Sequence, residues 1–309
     1  RGATQLINIV LLETDTRSSF TYEVNADHLH DGEVKPGAKL SLSGQSGKFD
    51  YLISGETEPR WANRKGFESS FLANGTKNDT VSRRTITDQQ PTTMSSNIGY
   101  QFSENDVAHL NFQYNQNDAP EELDRVITDY LTSPPTIKSQ FEDISNESDF
   151  WELGGDYEHT FRGGNRWRGL FIINQKKDDR TRERFDLNDN NQKDIFLKTF
   201  NQYEEEIFRT SYSMDLSERQ DLEFGIERAK TTLESALRLG LASQGAPSSE
   251  FGNLVPSNTS NAVVEETRHE VFAIHNWRLS DRMSLETTII YEESTIRQTG
   301  DISKERDFS

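Results

Sequence analysis

Carboxylates and guanidiniums fall at alternate positions in several short stretches of this chain. Glu152, Asp156 and Glu158 lie in FWELGGDYEHTF, and Arg166 and Arg168 follow in NRWRGL. Arg209 stands in IFRTSYSM, Glu223 and Glu227 in DLEFGIE, and Glu286 in MSLETTIIYE. Paired carboxylates can do acid–base work when they are held together. Residues at i and i+2 of a strand share a face, so these groups can instead set the electrostatics of one polar surface, with the arginines as partners. The second reading is the stronger. No nucleophile elbow and no phosphate loop accompanies them, so the expected catalytic set is empty and the protein is not read as an enzyme.

Metal chemistry fares no better. The only close histidine pair is His28-Leu29-His30, which could face one way on a strand but lacks a third ligand. A solvated hairpin end is the better reading. DLNDNNQKD, from Asp186 to Asp194, resembles part of a calcium loop without its sixth-position Gly or its acidic twelfth residue. Gly163-Gly164 is a turn, because no helix follows it to hold a phosphate. There are no cysteines, which removes disulfides and thiolate sites. No metal and no cofactor is expected.

The elements that carry these groups are strands. In SFTYEVNAD, Phe20, Tyr22, Val24 and Ala26 share one face and polar residues the other. The same alternation recurs through Phe49, Tyr51 and Ile53; Ala108, Leu110, Phe112 and Tyr114; Phe208, Thr210, Tyr212 and Met214; and Leu285, Thr287, Ile289 and Tyr291. None of these apolar faces carries an acid or a base. Eleven strands are predicted at about 17–28, 37–45, 48–58, 92–102, 107–116, 149–161, 166–175, 204–216, 220–231, 267–279 and 283–294.

Connections alternate in length. Short polar turns occur at Ser46-Gly47, Ser103–Asp106, Arg162–Asn165, Ser217–Arg219 and Ser280–Arg282, and long irregular polar segments at about 59–91, 117–148, 177–203 and 232–266. The segment Ala119–Leu131 has some helical character, and the chain is expected to finish in a polar loop after the eleventh strand.

A bilayer leaves backbone groups without water, so only helices or closed barrels cross it. No stretch approaches the roughly 18 apolar residues of a membrane helix. Strands near ten residues, apolar on one face, joined by short turns at one end and long loops at the other, are the signature of an outer-membrane barrel. The composition agrees, with 32% hydrophobic residues but 10% aromatics. Phe49, Phe102, Phe161, Trp167 and Trp277 lie beside short turns, where interfacial aromatics belong. A formal charge of -18 argues against a nucleic-acid partner. The expected fold is therefore all-β, an antiparallel transmembrane β-barrel, with outer-membrane lipid around it.

The opening GATQLINIVL, with Gly2 and Ala3 before Ile7, Asn8 and Ile9, resembles the end of the plug domain of TonB-dependent outer-membrane receptors. That family commonly has a Gly-Ala stretch leading into an Ile-Asn-Ile strand and then a 22-strand barrel. Here Thr4-Gln5-Leu6 replaces the usual Gly and Val, and Val10-Leu11-Leu12 stands where a basic residue often follows. The resemblance implies a partial barrel, about 11 of 22 strands over 15–309, with a plug remnant at 1–14. It also implies the outer membrane of a Gram-negative bacterium and a TonB-type energy-transducing partner. A small extracellular ligand would be taken up, a ferric siderophore by default, with contacts on the long loops and plug apex. The charged residues named above would then line the lumen.

Three other functions compete: a non-transporting outer-membrane barrel of adhesin-like or structural type, a soluble all-β binding protein, and a barrel enzyme with catalytic groups on its rim.

Overall fold

The computed structural model describes residues 17–29 and 32–309; the plug-like motif at Gly2, Ala3, Ile7, Asn8 and Ile9, and His30, lie outside them. The described chain is all-β apart from one 3-10 turn at Ser249–Phe251. Its fifteen strands are β1 Arg17–His28, β2 Val34–Ser46, β3 Phe49–Thr57, β4 Arg60–Phe71, β5 Lys77–Gln89, β6 Thr92–Gln101, β7 Asp106–Asp118 and β8 Glu121–Asp129. They continue with β9 Thr136–Thr160, β10 Arg166–Asp186, β11 Gln192–Ser217, β12 Gln220–Leu241, β13 Val255–Ser280, β14 Met283–Gly300 and β15 Lys304–Phe308.

All belong to one antiparallel sheet, in the order β1-β2-β3-β6-β7-β9-β10-β11-β12-β13-β14-β15, with β4, β5 and β8 beside that path. Among the described residues nothing pairs β1 with β15, so the sheet is open. Its two ends differ. At one, tight turns join β2 to β3, β6 to β7, β9 to β10, β11 to β12 and β13 to β14. Serine chemistry recurs there: Ser103, Ser217 and Ser280 each accept through Oγ the N–H of the residue two further on, at 3.1, 3.3 and 3.3 Å.

At the other end the structure corrects the sequence reading. The four long segments are mostly strand, with irregular backbone confined to turns such as 130–135 and to 242–254. The first is the β4–β5 hairpin; the second holds β8 and the upper half of β9. The third and fourth are continuations of the β10–β11 and β12–β13 hairpins, so that β9, β11 and β13 reach 25, 26 and 26 residues. β8 takes the place of β7 beside upper β9 and bridges it to β5. Most of these stretches escape an apolar-alternation reading because they carry charge on both faces; upper β12 differs, with Leu233, Leu237, Leu239 and Leu241 on one face. The backbone ladder and cross-strand pairs hold them instead. The Lys198–Asp179 and Lys193–Glu183 pairs stand at 3.2 and 2.6 Å, and Arg184 meets Asp194 through two bonds of 2.8 and 2.9 Å. The stretch 119–131 is β8 rather than a helix, and its Leu123 and Val126 fall on opposite strand faces. After β14 the chain turns back as β15, which pairs with Ser294–Gln298, instead of ending in a loop.

Eleven of the fifteen strands, β1, β2, β3, β6, β7 and β9 to β14, are those expected from alternation, and they are consecutive neighbours. Their register aligns the apolar faces. Phe20 stands opposite Leu42, Leu42 opposite Ile53, and Ile98 opposite Leu110. Gly155 stands opposite Phe171, Phe171 opposite Phe208, Ile226 opposite Val271, and Val271 opposite Tyr291. One apolar face thus runs unbroken across the sheet, and it is the exposed face: Val24 is 74% and Ile289 69% accessible. Ser211, Ala229, Phe272 and Ser294, all buried, lie on the polar side.

Candidate functional site

Glu152, Asp156, Glu158, Arg166, Arg168, Arg209, Glu223, Glu227 and Glu286 all project from the polar face, as the register of β9 to β14 requires. The structure brings only some of them together. Asp156 meets Arg168 and His109, each at 3.4 Å. Glu227 is held by Arg268 at 2.8 Å and by Arg209 at 3.6 Å, and Arg268 reaches on to Glu292 at 3.9 Å. Glu152, Glu158, Arg166, Glu223 and Glu286 form no ion pair among the described residues.

Sequence reasoning missed His109, Arg268, Glu292 and Phe272. Phe272 is 3% exposed, and the Arg209 guanidinium caps its ring at 4.0 Å from the centroid. The signal was present: in VFAI, from Val271 to Ile274, apolar residues occupy both strand parities, so one of the two sets must sit on the polar side. The result is a plate of alternating charge over a buried ring. With every carboxylate partner a guanidinium or an imidazole, it is suited to holding polar groups and carries no paired-acid arrangement.

Above these strands, Glu142 is 1% exposed and takes two 2.8 Å bonds from Arg182, with Arg125 at 3.6 Å. At the β10–β11 tip, the Lys138 ammonium and the Asn188 N–H hold the Asp186 carboxyl below its usual range. Asp194 is engaged by Arg184, so the supposed calcium loop has its end carboxylates occupied, and Asn190 and Asn191 turn the tip with φ of 50° and 57°. At the β8 end, hydrogen bonding from Thr80 and the Lys77 charge lower the Tyr130 phenol. No group of three or more His, Cys, Asp or Glu able to hold a metal occurs among the described residues.

The short-turn end of the apolar face carries a girdle of rings. Tyr100 packs on Phe102 at 4.8 Å, Phe102 on Tyr157 at 6.4 Å, and Tyr157 on Trp167 at 5.8 Å. Phe161 packs on Tyr212 at 5.8 Å, and Tyr212 on Phe224 at 5.7 Å. Three of them have bonded polar atoms: Trp167 Nε1 donates to Thr210 at 2.8 Å, the Tyr157 hydroxyl to Asp106 at 2.5 Å, and the Tyr212 hydroxyl accepts from Asn165 at 2.9 Å. His159 Nδ1 lies 2.6 Å from Asp106, to which the Ser103 hydroxyl also donates. Serine and histidine both bind the acid and not each other, so this is a turn clamp and not a nucleophile relay.

Between β6 and β13 the same face is dished into an open concavity of about 950 Å³. Ala108, Gly169, Thr210, Phe171 and Phe208 line it, and the Phe171 ring lies over Gly155.

No protein-family model matches the chain, and no curated protein matches it. Among solved structures, the crystal structure of the Pseudomonas putida toluene transporter TodX aligns with 94% of this chain and 86% of its own, at 10% identity and a TM-score of 0.23. A likeness at that score carries no argument about fold or function.

Proposed function

We propose that this chain is the wall of an outer-membrane β-barrel and acts in transport. One observation carries the reading: eleven neighbouring strands present one exposed, in-register apolar face, closed at the short-turn end by bonded aromatics. Soluble monomers rarely expose contiguous apolar patches beyond a few hundred Å². A bilayer accepts such a face and favours rings with a polar edge at its boundary. The opposite face, with its Asp156–Arg168 and Arg209–Glu227–Arg268 networks, suits a wet lumen.

The finer reading is a TonB-dependent receptor of a Gram-negative outer membrane. The plug-like Gly2–Leu11 segment supports it by resemblance. Among the described residues, β1 and lower β14 each have a strand on one side only, and in hydrocarbon such edges need partners. The ligand would be small and extracellular, with a ferric siderophore first. It would bind at the long-connection end, and a TonB-type protein would act on a plug.

Expression of the complete gene in a Gram-negative host tests both levels. An outer-membrane protein requires detergent for extraction and shows heat-modifiable mobility in SDS; recovery in aqueous buffer would remove the membrane reading. Growth on candidate ferric siderophores, with and without the energy transducer, tests the receptor; uptake independent of the transducer would remove it.

The apolar concavity favours a second reading. Were that face the inner one, the sheet would be a carrier enclosing an apolar ligand, and aqueous extraction would select this alternative.

A further inference from the structure

One run of leucines stands on the polar face of the sheet. Leu233, Leu237, Leu239 and Leu241 share the parity of Glu227 on β12. The register of β11 puts Leu197 opposite Leu239 and Ile195 opposite Leu241 on that side. Lipid does not account for them, because in the membrane reading it meets the other face. A core does not account for them either: the turn at Ser249–Phe251 and the Gly252 after it pack on Gly240 and Phe196, which have the opposite parity. The leucines stay partly exposed. From Leu233 to Leu241 the lane runs about 26 Å, interrupted once by Ser235, and together with β11 it is about 10 Å wide. Leu233 lies about 30 Å along the strand from Phe224 of the girdle. The lane therefore starts at the outer margin of a band about 25 Å tall and rises from there into the long-connection end.

A basic column borders this lane. Lys176, Arg180, Arg182 and Arg184 lie on the same face of β10. Three are held: Lys176 by Asp178 at 3.0 Å, and Arg182 by Glu142 and Arg184 by Asp194, each at 2.8 Å. Arg180 is exposed and makes no hydrogen bond or ion pair among the described residues. It stands opposite Thr199, and Thr199 opposite Leu237, which puts it two strands, about 10 Å, from the middle of the lane. On the far side, β13 sets neutral Ser260 and Asn258 opposite Leu237 and Leu239. The pieces match one chemistry. A lane this narrow is far short of the roughly 800 Å² a side of a standard protein interface, but it covers an alkyl chain methylene by methylene. A free guanidinium beside it takes a carboxylate through a charge-assisted bond.

We propose that the polar face of upper β10–β12 is a site for one long-chain carboxylate arriving from outside the cell. Its alkyl chain lies along Leu237, Leu239 and Leu241, and its carboxylate lies on Arg180. The site rests on the transport reading above and narrows the small extracellular ligand to an anion with a single alkyl chain.

The test uses the complete protein, held in amphipol, and reads equilibrium binding of radiolabelled dodecanoate. Dodecanol, which lacks the charge, and butyrate, which lacks the chain, are the competing probes. Two variants act on the two halves of the site. Arg180→Gln removes the charge from a side chain that holds nothing else in place, so that variant folds; Leu237→Thr shortens the middle of the lane and keeps strand propensity. Each is expected to weaken dodecanoate binding roughly tenfold while membrane fractionation and heat-modifiable mobility stay as in the wild type. Unchanged affinity in Arg180→Gln, or equal competition by dodecanol, overturns the carboxylate assignment. Unchanged affinity in Leu237→Thr, or equal competition by butyrate, overturns the alkyl lane. Failure of the membrane-inserted wild type to bind dodecanoate overturns the site and leaves the transport reading standing. Recovery of the wild type from the aqueous fraction overturns the membrane reading and the site together.

Discussion

The Phe272 ring lies across Gly225: a Cβ built on Gly225 would stand 2.6 Å from the ring's Cζ. On β12 and β13 these two residues face each other on the polar side, and the glycine leaves the hollow that the ring fills. Arg209 closes the top. A large apolar side chain is thereby hidden on the polar face without disturbing the charges around it.

Gly225→Ala is therefore expected to destabilise the sheet by about 1–3 kcal/mol, the usual cost of overpacking. The added methyl meets both the ring and the Thr210 carbonyl across the ladder, so repacking the ring alone cannot relieve it. Urea unfolding of the reconstituted protein measures the change; a midpoint equal to the wild type would contradict the packing described.

Face assignment can be tested at adjacent positions of β7. Phe112 belongs to the apolar face opposite Leu153, and Asn111 to the polar face opposite Gly154. In a bilayer, Phe112→Arg is expected to cost about 2–4 kcal/mol and to lower the inserted fraction, with Asn111→Arg close to neutral. Equal insertion of both variants, read by membrane fractionation, would sink the assignment of the apolar face to lipid.

Above the apolar belt, Glu142 offers a stability test. Its removal in Glu142→Ala leaves Arg182 and Arg125 facing one another without their carboxylate. Both arginines keep partial water access, which puts the expected loss at about 2–3 kcal/mol, below the full figure for breaking a buried pair. Faster proteolysis within β8 and upper β9 reports it, and unchanged cleavage there would show the pair to be idle.

Acid should loosen the β10–β11 tip. The folded Asp186 carboxyl is held below its ordinary range, mainly by Lys138. A depressed acid contributes stability that is complete above its unfolded pKa of about 4 and is lost as pH falls through the lower folded value. Protection of the 187–191 amides from hydrogen exchange, relative to their intrinsic rates at each pH, is thus expected to fall below about pH 4 and to be independent of acid in Asp186→Asn. A variant with the wild-type pH profile would assign the effect elsewhere.

Legibility in the sequence followed the environment of each strand. β1 was legible in the sequence, from Arg17 to His28, because Phe20, Tyr22, Val24 and Ala26 make one face apolar while the other is polar. Upper β10 and β11 were not, because Lys176–Asp186 and Gln192–Tyr203 place charge on both faces and leave period-2 reading nothing to detect. The polar-face residues were legible one strand at a time, since parity alone put Asp156 and Arg168 on one side. Which of them touch depended on register, a property of two strands together. So Arg268, on a strand whose polar face had not been read, was overlooked as the main partner of Glu227.

The upper hairpins have one more consequence. From Lys176 to Asp186, β10 continues for about 35 Å past its apolar half, paired on both sides and cross-linked by salt bridges. Flexible loops must surrender conformational freedom when they close on a guest; a wall already ordered has little left to lose. Recognition at this end of the molecule would therefore be preorganised, with selectivity set by the fixed spacing of groups along the strands.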